Sequence, residues 1–131
     1  MTVELRNVPG TEAAMGWAGS HTLVVDRAAG TAGGMGLGFN GGELLALALD
    51  GCLCNDLRYA AHAEDVALGA LRVTVTVKIA GMSPVVTQAA LRVACETAAG
   101  SPADSVIDRA LEASIILASV RQGFAVAIDR G

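Results

Sequence analysis

The side chains best able to do chemistry in this sequence are three thiols, Cys52, Cys54 and Cys95. A cysteine attacks as its thiolate, and an unperturbed thiol of pKa about 8.5 is only partly ionised at neutral pH, so a reactive one needs a cation close by. On a helix the neighbours lie three and four residues away. For Cys52 these are Ala48, Leu49, Asn55 and Asp56, none of them positive. Cys54 has Arg58 at i+4 and Asp50 at i−4, so local charge alone makes it the better activated of the two. Residues i and i+2 diverge by about 200° on a helix, which excludes a Cys52–Cys54 disulfide without unwinding. Cys95 alternates with Leu91 and Val93 and reads as core filling. The plainer reading of Cys52 and Cys54, as small residues of a buried helix, stands beside the chemical one.

A carboxylate, Glu43, precedes Cys52 by nine residues, about 900° of helix, so the two face opposite ways if both are helical. Glu43 therefore assists a thiol only from a partner chain or from outside the helix. Otherwise it is a first-turn acid complementing the helix dipole. Two histidines, His21 and His62, and the lack of a Cys-x-x-Cys pair speak against a structural zinc site. Gly36, Gly38 and Gly41 match G-x-G-x-x-G, but that fingerprint needs a strand ending at its first glycine. The preceding strand ends about ten residues earlier, and no Gly-Lys-Ser/Thr follows. No cofactor is expected.

The elements that must position these groups follow from periodicity. Asn40 to Glu64 is Leu- and Ala-rich and free of Pro, the composition of a long helix. Glu43, Leu47, Asp50, Cys54 and Arg58 share one stripe; Leu45, Ala48, Leu49, Cys52, Asp56 and Tyr59 share the other side. A helix apolar nearly all round must be covered from several directions. Before it, residues 2–8, Met15 to Gly19 and His21 to Asp26 read as an antiparallel meander, and Gly30 to Gly42, with seven glycines, as a flexible loop. After it, Leu71 to Ile79 and Val85 to Glu96 alternate as strands joined by a turn at Gly81 to Pro84. Ser101 is set to cap a second helix, with Pro102 at its first position, Asp104 three residues after the cap, and a buried stripe of Val106, Ile107, Ala110, Leu111 and Ile115. Gly123 ends it, and Phe124, Val126 and Ile128 alternate as a closing strand. The order is α+β, two helices on a mostly antiparallel sheet.

At 131 residues this is one expected domain, 1–131, large enough to form a core without staples. A net charge of −4 with nine scattered Lys and Arg argues against nucleic acid. No apolar run reaches the roughly 20 residues of a membrane span, and the N-terminus carries no targeting pattern, so the expected place is the cytoplasm and no membrane partner is expected.

The strand HTLVVD, the Gly-rich loop and the run GELLALALDGC together resemble the OsmC/Ohr family of thiol peroxidases, in which P-x-E-L-L-x-A-A-L-A-G-C leads to the reactive cysteine. The matching run is Glu43 to Cys52. The resemblance implies an intertwined homodimer, two long central helices backed by sheets from both chains, with Cys52 attacking an organic hydroperoxide at the interface and an external thiol restoring it. The family's second cysteine, which begins a C-P pair, falls on Ser114 followed by Ile115, so the resolving thiol is missing. Gly41 and Gly42 stand where hydroperoxide-reducing members carry Pro-Glu, and Arg6 and Arg27 are the candidates for the activating arginine. The alternative is a non-enzymatic dimer of this fold that binds a hydrophobic small molecule in its interface cleft.

Overall fold

The computed structural model describes residues 1–130, and the chain forms two compact units, residues 1–45 and the rest from Ala46 onward. The architecture is α+β, with two separate antiparallel sheets and three helices.

In the first unit β1 (Glu4–Asn7), β2 (Ala14–Ala18) and β3 (His21–Val25) form the expected meander. Gly19 and Ser20 make the two-residue turn between β2 and β3, with Ala18 facing His21 and Gly19 at φ 62°, a conformation that favours glycine. β1 does not bury one face as its alternation predicts, since all four of its residues are exposed.

The Gly-rich segment is not a free linker. Phe39, near its far end, is stitched to the end of β3 and the next residue: the Phe39 N–H donates to the Val24 carbonyl (3.0 Å) and the Asp26 N–H to the Phe39 carbonyl (3.1 Å). Inside the excursion, the buried Asp26 carboxylate accepts the N–H groups of Arg27 (2.8 Å), Met35 (3.0 Å) and Leu37 (3.1 Å). Gly38 is required here, because a Cβ would run into the Val24 carbonyl. The same geometry disposes of the dinucleotide fingerprint. Backbone N–H groups that could have cradled a phosphate already hold a carboxylate.

Helix α1 (Gly41–Ala63) begins in the first unit and continues through the second. It buries Leu49, Leu53, Leu57, Ala60 and Ala61, a stripe at i, i+4, i+8, i+11 and i+12 that starts at Leu49 on one of the two sides drawn from the sequence and runs between them. Leu53 and Leu57 are fully buried, each worth about 1.5–3 kcal/mol of transfer from water. The expectation of a helix covered on every side is not met within one chain: Leu47 is 46% and Tyr59 73% exposed.

That stripe packs with the inner face of a hairpin, β4 (Leu68–Ala80) and β5 (Val85–Thr97), from which Leu71, Val73, Val75, Leu91, Val93 and Cys95 point into the core. Val73 faces Val93 and Leu71 faces Cys95 in register, so the period-two alternation of the sequence lands on the core.

Helix α2 (Asp104–Ala113) starts later than expected. Ser101 does not cap it. The Ser101 carbonyl accepts the Thr97 N–H (2.8 Å) and Pro102 bridges Glu96, so the chain runs beside β5 for one more step before turning. Ala103 takes the cap position without a side-chain bond, and Val106 and Ala110 are buried. The second helix expected from the sequence is in fact two. Ser114, at φ −68° and ψ 108°, is extended and separates α2 from α3 (Ile115–Gln122), which leaves Ile115 exposed rather than in the core stripe. Gly123, at φ 71°, ends α3 with its N–H on the Ser119 carbonyl (2.9 Å), as its position predicts. Beyond it no closing strand forms among the described residues: Phe124, Val126 and Ile128 are 74%, 74% and 85% exposed.

Candidate active site

Every group in the following cluster comes from the second unit. Cys52 is half-buried on α1, and its thiol donates to Asp56 Oδ2 one turn later (3.5 Å). Cys54 points the other way around the helix, with its thiol on Asp50 Oδ1 one turn earlier (3.4 Å). Each thiol bonds the aspartate that lies one turn away on its own face, after Cys52 and before Cys54.

The local-charge expectation for Cys54 is reversed. Burial pushes its thiol above the ordinary value, the Asp50 carboxylate adds to this by accepting the proton and by its charge, and Arg58 offsets only part. Asp50 accepts the thiol proton and so adds to the effect of burial. Cys95 is buried on β5, and burial raises it too, with Arg58 lowering and Glu96 raising it further. Both thiols are poor thiolates. No two of the three cysteines are bonded.

Asp56 has a second role. With Tyr59, Ala60 and Ala63 of α1 it lines an open groove of about 380 Å³ whose other wall is Arg109 and Ala113 of α2 and Ile115 of α3. The Cys52 thiol is thus coupled by one hydrogen bond to the wall of a mostly apolar groove. Ser114, between Ala113 and Ile115, is 2% exposed, and its Oγ has no hydrogen-bond partner among the described residues. At the far end Arg109 lies 4.0 Å from the Glu64 carboxylate, which also accepts the Ser105 hydroxyl (3.0 Å).

Glu43 is occupied elsewhere. Its carboxylate accepts the Asn40 N–H (2.9 Å) while Asn40 Oδ1 accepts the Glu43 N–H (3.0 Å), a reciprocal capping box that fixes the start of α1. The signal was present in the sequence as Asn-x-x-Glu. Arg6 pairs with Glu4 (2.7 Å) and Arg27 with Glu12 (3.0 Å), both within the first unit. Among the described residues no group of three or more His, Cys, Asp or Glu is placed to hold a metal ion, and no helix is long and apolar enough to cross a membrane. The sequence places Asp56 and Tyr59 on one side of α1, as the groove has them, but does not bring Arg109 and Ile115 to them. Arg109 and Asp56 are far apart along the chain, and no local spacing joins them.

A family model described as OsmC-like protein matches residues 33–129, which contain both cysteines of α1, the hairpin and Ser114. The chain belongs to the OsmC-like family. No curated protein matches it. An OsmC-like protein of Mycoplasma pneumoniae superimposes with a TM-score of 0.73 at 13% identity, covering 92% of this chain and 86% of that one. A Legionella pneumophila protein described as an organic hydroperoxide resistance protein gives a TM-score of 0.64 at 15% identity, covering 92% and 88%. One from Vibrio cholerae with the same description, holding captopril in one of its active sites, gives 0.58 at 21% identity, covering 92% and 85%. These similarities establish that the OsmC-like fold extends over nearly the whole chain.

Proposed function

We propose that this OsmC-like protein is a thiol-dependent peroxidase that reduces organic hydroperoxides through Cys52. The observation that carries the reading is that Cys52, alone of the three thiols, is bonded to a residue of the groove wall, while burial raises Cys54 and Cys95 above the ordinary thiol value. Hydroperoxide resistance among the structural relatives points the same way.

In the reaction the Cys52 sulfur attacks the outer peroxide oxygen, the O–O bond breaks, and the alcohol leaves with the proton. Cys52 becomes a sulfenic acid. A first external thiol condenses with it, releasing water, and a second releases Cys52 as the mixed disulfide is exchanged. External thiol is required because Ser114 holds the position of a resolving cysteine, Cys54 diverges along the helix and Cys95 lies in the core. Three free thiols fit a reducing compartment, the cytoplasm. The working unit is a homodimer: the exposed Leu47 on α1, and the exposed Phe124, Val126 and Ile128, are apolar surface that a second copy would cover, in an obligate interface above about 2,000 Å².

Trapping of sulfenic acid with a dimedone-type reagent after organic hydroperoxide tests the chemistry. Cys52→Ser is expected to abolish the adduct and Cys95→Ser to leave it. Without thiol, excess hydroperoxide is expected to add one and then two oxygens to the peptide carrying Cys52, with no loss of two hydrogens to a disulfide. An adduct that survives Cys52→Ser but not Cys54→Ser would move the nucleophile; no adduct in any variant would leave a non-enzymatic binder of apolar ligands in the same groove. A stable monomer in sedimentation at micromolar concentration would overturn the dimer.

A further inference from the structure

The Cys52 thiol is bonded to a carboxylate and not to a cation. A carboxylate supplies no charge that favours a thiolate, so this contact is not the usual electrostatic route to a nucleophilic sulfur. It offers a different route, since a weak nucleophile is also activated by a base that takes its proton as it attacks. Asp56 has the position for this and for a second step. Its Oδ2 lies 3.5 Å from the Cys52 sulfur, and the same residue lines the groove between α1 and the α2–α3 segment. In an organic hydroperoxide the departing oxygen is the one that carries the organic group. With that group in the groove, the departing oxygen lies between the groove and the sulfur, within reach of Asp56. No other acid lines this groove among the described residues; its other titratable groups are Tyr59 of α1 and Arg109 of α2, and α3 brings the uncharged Ile115. Neither rivals Asp56 as a proton carrier, because a guanidinium is not deprotonated in proteins and a phenol is a poor base at neutral pH. Asp50 makes the corresponding bond to Cys54 but does not line the groove, so that pair has the first contact without the second.

We infer that Asp56 is a catalytic residue, the base that takes the Cys52 proton during attack and the acid that returns it to the departing oxygen. The S–H bond breaks as sulfur bonds the outer peroxide oxygen, and the proton passes to Asp56. The O–O bond breaks with its electron pair on the organic oxygen, which takes the proton from Asp56 and leaves as the alcohol. Sulfur is oxidised and the peroxide reduced; the outer oxygen stays on sulfur with its own hydrogen as the sulfenic acid, and Asp56 regains its starting state. This rests on the peroxidase reading for the reaction itself and adds the path of the proton.

The test is the single-turnover rate at which the Cys52 peptide of the full chain becomes a trapped sulfenic acid with tert-butyl hydroperoxide, followed from about pH 6 to about pH 8. The wild-type rate is expected to be level over that range, because the one proton shared by thiol and carboxylate stays within the pair. Asp56→Asn must react through free thiolate, so its rate should climb about tenfold per pH unit and lie about a hundredfold below the wild type at the acid end. Asp56→Glu should keep most of the level profile, and Asp50→Asn should leave it unchanged. With peroxyacetic acid, whose departing carboxylate needs no proton, the loss in Asp56→Asn should shrink to less than about tenfold, whereas a loss from disturbed structure would be the same for both oxidants. A wild-type rate that climbs with pH as a free thiolate does overturns the relay without recourse to any variant. A level profile in Asp56→Asn, or an equal loss with both oxidants, also overturns it while the peroxidase reading stands. A wild type that forms no sulfenic acid at all refutes the peroxidase reading, and the relay with it.

Discussion

The Cys54 thiol and the Asp50 carboxylate, 3.4 Å apart on adjacent turns of α1, form a pair in which the acid adds to burial in raising the thiol above its ordinary value. Cys52 makes the corresponding bond in the opposite direction along the helix, to Asp56. Two cysteines separated by one residue thus acquire different surroundings from the periodicity of the helix, and only one of them is bonded to a residue of the groove wall.

The Cys54–Asp50 pair makes a prediction about reactivity. In a Cys52→Ser background, alkylation of Cys54 should rise with pH along a curve displaced above that of a free thiol. Asp50→Asn should move the curve down, because it removes the carboxylate charge while leaving the burial. An unchanged curve would mean that burial alone holds Cys54 protonated.

The cap of α1 separates a structural role for Glu43 from a chemical one. Asn40→Ala should cost about 1 kcal/mol in urea unfolding, whereas Glu43→Gln, which can still reach back to the Asn40 N–H, should cost much less. If Glu43→Gln unfolds like the wild type yet slows Cys52 oxidation more than tenfold, Glu43 acts at the thiol as well as at the cap.

Asp26 ties the glycine-rich excursion to pH. The Leu37, Met35 and Arg27 N–H groups and the Arg27 charge hold its carboxyl below the ordinary carboxylate value, against the opposing effect of burial. Because the folded value is depressed, the stabilisation is fully present above the ordinary carboxylate pKa of about 3.9 and is lost as the pH falls through the lower folded value. The Met35 and Leu37 amide resonances should therefore shift together in an NMR titration into strong acid. Asp26→Asn should weaken the loop at neutral pH and differ little from the wild type at the acid end. Amides that shift at the ordinary carboxylate pKa instead would show that the three bonds do not persist in solution.

Ser114 should be a weak point. A buried hydroxyl without a partner costs about 1–3 kcal/mol, so Ser114→Ala should raise the urea midpoint with little change in slope. A lower midpoint would indicate that an ordered water or a partner chain satisfies the hydroxyl.

Local sequence was sufficient where the tertiary packing agreed with the local rule, and it failed at β1, at Ser101 and over residues 124–128, where an equally local rule was overridden. The alternation of Leu71 to Ile79 and Val85 to Glu96 specified two strands and their inward faces, because a strand has a strict period of two and one face of this hairpin is wet. The run from Glu43 to Cys52 marked the helix and its family. Gly123 marked a helix end, since its positive φ suits glycine. What the tertiary structure alone decided are the choices between near-equal local options. A helix apolar on every side cannot indicate which stripe its hairpin will cover, and the hairpin took Leu49, Leu53 and Leu57. Ser114 is tolerable within a helix, so the break between α2 and α3 has no local mark. Asp26 holds Leu37 across eleven residues, and Arg109 meets Glu64 and shares a groove with Asp56 from a different helix. Such meetings depend on how the chain closes on itself: hydrogen bonds and charges act over a few ångströms in space, and separation along the sequence does not fix that distance.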